Sequence, residues 1–160
     1  MPLLLPILLD TNQLLRIAQP QATEYPVVTA AIIKYLKGGE RPAICPQNIY
    51  EFWSVATRPA GPPSNGLGLT ALEAEAEIEA FEDFFRVLTD VPAVYNEWRV
   101  LMKTWKVIGR QSFDARLIAT MIVHEVPQLM TFDVSHFKRY EKRGIVINGQ
   151  PLRIIHPADA

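Results

Sequence analysis

Cysteine is nearly missing from this sequence: Cys45 stands alone, so no intrachain disulfide can form, and no CxxC pair or Cys/His cluster offers a zinc site. Histidine is scarce too. His124, His136 and His156 are scattered without HExxH spacing, and each reads as a structural or surface residue. No apolar run is long enough to span a bilayer. The greasy start, residues 1–9, lacks a basic n-region and a small-residue cleavage site, so it reads as a first strand. Charge of one sign is lacking overall, since a net charge of −1 argues against a uniformly basic nucleic-acid binder. There is no internal repeat or low-complexity tract. These absences favour a cytoplasmic protein without a membrane partner.

What is present is apolar material, 49% of 160 residues, enough for one domain with a sizeable core and too little chain for two typical ones. A single domain over residues 1–160 is expected. Strand-like and helix-like stretches alternate. The apolar run before Asp10 stops at that carboxylate, and Leu14, Leu15, Ile17 and Ala18 resume at helical spacing. Residues 25–36 form a helix closed by Lys37-Gly38-Gly39, residues 42–45 a short strand, and residues 47–57 a helix ended by Arg58-Pro59. Residues 59–69 are too rich in Pro and Gly for helix or central strand, and serve as either a binding loop or a mobile connector.

Thr70-x-x-Glu73 is a capping box opening a helix through Phe85, with Leu72, Ala76, Ile78, Phe81, Phe84 and Phe85 as its apolar set. Val87-Leu88 predicts a strand, and residues 92–105 a helix carrying Trp98, Met102 and Trp105. A helix over 113–124, a strand over 129–132 and a helix over 134–143 follow. Residues 145–147 and 152–155 supply the last strands. The pattern predicts an α/β fold, a three-layer α/β/α domain with a central, mainly parallel sheet.

On that map Asp10 ends the first strand, Asp133 follows the strand at 129–132, Asp114 lies at the start of the helix running to His124, and Glu51 sits near the start of the helix after the second strand. All four fall near the carboxyl edge of the sheet, where open α/β sheets bind ligands. Carboxylates drawn together repel unless a cation sits among them, and hard oxygen donors suit Mg²⁺ or Mn²⁺. Capping explains each aspartate singly. Yet Ser, Thr or Asn would cap about as well, so Asp at all three has odds of roughly one in thirty by chance. For Glu51 alone, a solvated helix position is explanation enough.

Leu8-Leu9-Asp10-Thr11-Asn12, the acid in Tyr50-Glu51-Phe52-Trp53, the run Phe113-Asp114-Ala115-Arg116-Leu117-Ile118-Ala119, and Leu129-Met130-Thr131-Phe132-Asp133 with Phe137 and Arg139-Tyr140 resemble the PIN-domain ribonucleases, especially VapC-type toxins of toxin-antitoxin pairs. The segment Val55-Ala56-Thr57-Arg58-Pro59 with Asn65-Gly66-Leu67-Gly68-Leu69 is similar to a loop in one branch of that family. The resemblance implies that Asp10, Glu51, Asp114 and Asp133 bind the metal, that Thr11 and Asn12 support the first and Thr131 the last, and that RNA cleavage leaves a 3′-hydroxyl and a 5′-phosphate. Asp114 and Glu51 both stay open as the proton acceptor. A catalytically inactive RNA-binding relative and an acid-pocket receiver domain are the rival readings.

The small net charge conceals separation. Nine basic residues against four acids fall between 99 and 143, whereas eight acids against Arg86 alone fall between 73 and 97. A basic rim of this kind can track RNA phosphates, with Arg110, Arg116, Lys138 and Arg139 as candidate contacts. Arg99, Lys103 and Lys106 serve equally well as solvated helix faces. The stripe Phe81, Phe84, Phe85, Trp98, Met102 and Trp105 serves either as core packing or, in part, as surface for a cognate antitoxin helix or a second copy in a homodimer.

Overall fold

The apolar run before Asp10 forms strand β1, Ile7–Leu9, in a computed structural model that describes residues 4–160. Residues 1–3 of the expected first strand lie outside the described residues. Pro6 has no N–H for the ladder, and β1 begins directly after it. The chain continues through helices α1 (Thr11–Ile17) and α2 (Tyr25–Lys37), strand β2 (Ala43–Ile44), and helices α3 (Pro46–Ala56) and α4 (Ala71–Phe84). Next come strand β3 (Arg86–Val87), helices α5 (Pro92–Trp105) and α6 (Gln111–Val123), strand β4 (Gln128–Met130) and helix α7 (Val134–Glu141). Strands β5 (Val146–Ile147), β6 (Gln150–Pro151) and β7 (Arg153–Ile155) complete the order, ahead of a 3-10 turn at Pro157–Asp159.

The main sheet has the order β3-β2-β1-β4-β7, with every pairing parallel. β1 is central, and Leu8 aligns with Ala43 on one side and Leu129 on the other. Strand side chains alternate between faces. Leu8, Ala43, Leu129 and Ile154 therefore enter one core with Leu101, Leu117, Met121 and Phe137 from α5, α6 and α7. Ile7, Leu9, Ile44 and Met130 enter another with Val28, Phe52, Ile78 and Phe81 from α2, α3 and α4. Two cores on two faces give the α/β/α layering, and each fully buried Leu, Ile or Phe contributes about 1.5–3 kcal/mol.

Some expectations need correction. α4 buries Ala74, Ile78 and Phe81, one face at helical spacing, so Leu72 at 81% exposure and Ala76 lie on the solvent side. The aromatic stripe is not continuous either. Phe81 and Phe85 belong to one core, while Trp98, Met102 and Trp105 pack against the core on the opposite face. Phe84 alone of the six is exposed. Residues 145–147 do not join the main sheet, because Asn148 and Gly149, both at positive φ, reverse the chain into an antiparallel β5–β6 ribbon.

The segment at 59–69 is tied down. Leu67 and Leu69 donate backbone N–H groups to Val55 and Ala56 carbonyls at 3.3 and 2.9 Å, and both side chains pack on the core. Gly66 passes so close to Arg58 that an added Cβ would overlap its backbone. Among the described residues no helix is long and apolar enough to cross a membrane.

Candidate functional site

β1 and β4 are neighbours whose following helices, α1 and α7, leave the same carboxyl edge. Such an edge gathers polar groups from distant parts of the chain. Asp10 is the N-cap of α1: its Oδ1 accepts from the Thr11 N–H at 2.8 Å. Its other oxygen, Oδ2, accepts from Thr131 Oγ1 at 2.7 Å and from Asn12 Nδ2 at 3.2 Å. The Asn12 amide nitrogen also faces Asp133 Oδ2 at 3.4 Å, while its oxygen accepts from Gln13 Nε2 at 2.8 Å and from the Phe132 N–H. Donors on the oxygen side fix which way that amide points. Thr131 Oγ1 further accepts from the Asp133 N–H at 3.0 Å, so one buried hydroxyl joins both acids.

Glu51 reaches the same edge from α3, in its second turn. Thr11 Oγ1 donates to Glu51 Oε2 at 2.7 Å, and Gln47 Nε2 donates to Glu51 Oε1 at 2.9 Å. Gln47 also donates to the carbonyl of Phe113, the residue before Asp114, which ties α6 to Glu51. Asn48 Nδ2 donates to Thr11 Oγ1 at 3.3 Å. Gln47 and Asn48 are buried polar braces that the sequence reading passed over; Gln47 lies one helical turn before Glu51, which is the signal that pointed to it.

Burial pushes the Asp10 carboxyl up to about 6, with hydrogen bonds from Thr131 and Thr11 opposing and the charges of Glu51 and Asp133 reinforcing the rise. A buried carboxylate beside two more is short of positive charge, and an all-oxygen donor set fits a hard divalent cation. As they stand, no three His, Cys, Asp or Glu side chains among the described residues converge closely enough to hold a metal ion. Glu51 is engaged by Thr11 and Gln47, and Asp114 by His136, whose Nε2 lies 2.6 Å from Asp114 Oδ2. His136, read from sequence as structural or surface, is thus in contact with a candidate acid.

Capping accounts for Asp10 but not for its two companions. The N-cap of α6 is Arg110, leaving Asp114 inside the first turn, and Asp133 at the N-cap of α7 makes no side-chain capping bond. Of the candidate RNA contacts, Arg110 and Lys138 are exposed. Arg116 pairs with Asp90 at 2.8 Å and donates to Gln47 Oε1 at 3.3 Å, and Arg139 bonds His136. Cys45 is buried, and burial pushes its thiol up to about 11, which leaves it unreactive.

The sequence profile of the PIN domain matches residues 7–143. No curated protein sequence matches the chain. In fold it is similar to VapBC-1 from nontypeable Haemophilus influenzae, with TM-score 0.60 and 15% identity over 94% of this chain and 97% of that one. It is similar also to FitAcB from Neisseria gonorrhoeae, with TM-score 0.56 and 20% identity over 94% and 97%. A third is Mycobacterium tuberculosis VapC20, a Sarcin-Ricin loop cleaving toxin, with TM-score 0.55 and 14% identity over 88% and 96%.

Proposed function

Because the chain belongs to the PIN domain family, we propose that it is a Mg²⁺-dependent endoribonuclease and the toxin of a type II toxin-antitoxin pair. The observation that carries this reading is the linked edge on which Thr131 joins Asp10 to Asp133 and Thr11 joins Asp10's helix to Glu51. A receiver domain would pair acids after its first strand and carry a late Lys before Pro, and this sequence has neither. Intact acids also weigh against an inactive RNA-binding relative.

On this reading Asp10, Glu51, Asp114 and Asp133 hold Mg²⁺ or Mn²⁺, with Thr11, Asn12 and Thr131 fixing their orientation. When bound, a divalent cation neutralises phosphodiester charge and lowers the pKa of water. The Thr131 hydroxyl holds the Asp10 carboxylate and accepts from the Asp133 backbone N–H, and the Asn12 amide nitrogen faces both carboxylates, so Asp10 is oriented before the reaction begins. Glu51 and Asp114 are the two acids able to take a proton from the attacking water. Arg110, Lys138 and Arg139 contact RNA phosphates, joined by Arg116 when it leaves Asp90. The antitoxin silences the enzyme most simply by setting an Arg or Lys among the carboxylates. The whole chain acts as one domain, in the cytoplasm, as a homodimer.

Induced expression tests the toxin reading. The wild-type protein arrests growth and translation, Asp133→Asn does not, and co-expression of the neighbouring small reading frame restores growth through a co-purifying, inactive complex. Normal growth under full wild-type expression removes the toxin assignment while leaving the nuclease assignment standing.

A further inference from the structure

Asp114 differs from Asp10 in how it is held. Asp10 receives three donors, whereas among the described residues the Asp114 side chain receives one, from His136 Nε2 at 2.6 Å. His136 is itself constrained. Arg139 NH2 lies 3.2 Å from His136 Nδ1, Arg139 Nε donates to the His136 carbonyl at 2.8 Å, and the Phe137 ring stands edge-on to the imidazole at 5.6 Å.

That pairing decides the tautomer. A guanidinium is always protonated and offers no acceptor, so the contact at Nδ1 requires an unprotonated Nδ1. The imidazole proton then sits on Nε2, directed at the carboxylate. We propose that Arg139 and His136 are positioning residues that hold Asp114 by its Oδ2 oxygen, restricting its carboxylate to the carboxyl edge and leaving Oδ1 as the oxygen for a cation. The inference rests on the carboxylate reading of the site given above.

The physical need is clear from the fold. Asp114 stands on α6 and, among the described residues, takes no bond from the Thr131 hydroxyl that holds Asp10, so its carboxylate is ordered by another element. α7 supplies that element. Its N-cap is Asp133 and its first turn brings His136, so one short helix sets two acids at once. Hydrogen-bond partners of metal-bound carboxylates are worth roughly 10- to 100-fold in metal affinity. Arg139 keeps free N–H groups after bonding His136, so clamping the ring and contacting RNA phosphate are compatible.

Calorimetric titration of Mn²⁺ into the full-length protein without RNA tests the proposal. His136→Ala lowers Mn²⁺ affinity about 10- to 100-fold with an unchanged melting temperature for the metal-free protein, since the ring is half-exposed. His136→Gln, whose side-chain Nε2 can donate where the imidazole did, recovers most of the loss. In the metal-free wild type, long-range ¹H–¹⁵N correlations of His136 report the Nε2–H tautomer, and Arg139→Ala converts it to a mixture. Wild-type affinity in His136→Ala, no recovery in His136→Gln, or an Nδ1–H tautomer overturns the proposal. Asp10→Asn is the control: if wild type binds no Mn²⁺, or Asp10→Asn binds it as well, the carboxylate site fails and the positioning role with it.

Discussion

Thr131 Oγ1 donates to Asp10 Oδ2 at 2.7 Å across 121 positions of sequence, and that hydroxyl simultaneously accepts from the Asp133 N–H at 3.0 Å. A buried threonine thereby sets the spacing of the two acids that follow β1 and β4. Thr131→Val keeps the shape but strips Asp10 of a donor and the Asp133 N–H of its acceptor. The expected cost is about 1–3 kcal/mol in urea unfolding, with most cleavage lost, while Thr131→Ser retains both.

Asp10 makes the metal-free protein sensitive to pH in an unusual direction. Its folded pKa of about 6 lies above its ordinary 3.8, so the folded state binds the proton more tightly. Stability from this group is therefore present below about pH 4 and lost as pH rises through 6, by up to about 3 kcal/mol. Asp10→Asn removes the dependence. At pH 7 without metal the variant should melt no lower than wild type, because Asn still caps α1. The check is the wild-type minus variant melting difference between pH 5 and pH 7. A variant that melts well below wild type at pH 7 marks Asp10 as chiefly a structural cap.

The parallel sheet and the Asp10 junction were legible in sequence because an apolar run ending abruptly at an acid has few alternative structures. The capping box at Thr70 and the helix at 92–105 were equally plain, each carrying its own start signal. Other features depend on neighbours. Gln47, Asn48 and His136 are ordinary polar residues until the fold sets them against Glu51, Thr11 and Asp114. Core packing takes up most of the apolar stripe, but its division was not legible, since helical spacing within α4 and α5 does not reveal that the two helices cover opposite faces of the sheet. Asn148-Gly149 was a readable turn signal, and it explains why residues 145–147 fold back on themselves.

Gln47 braces Glu51 and the Phe113 carbonyl with a single amide. Gln47→Leu leaves that carbonyl without its donor and frees the Glu51 side chain. Mg²⁺-induced thermal stabilisation should fall severalfold, accompanied by about 1–2 kcal/mol of lost stability. Undiminished stabilisation by Mg²⁺ would separate Gln47 from the site.

The two sides of α4 can be told apart by substitution. Phe81 is buried and stands edge-on to Phe52 at a centroid distance of 5.0 Å, whereas Leu72 is 81% exposed. Phe81→Ala should cost about 3–5 kcal/mol in chemical denaturation and Leu72→Ala under about 0.5 kcal/mol. Comparable losses would mean that α4 packs by a different face.

The carboxylate edge as a metal-dependent RNA-cleaving centre is tested most directly by incubating the purified protein, free of any antitoxin, with end-labelled single-stranded RNA. Cleavage should require Mg²⁺ or Mn²⁺, stop on addition of EDTA, resume when the metal is restored, and be absent in Asp133→Asn at equal folded concentration. Cleavage that continues in excess EDTA, or that survives in Asp133→Asn, contradicts the account.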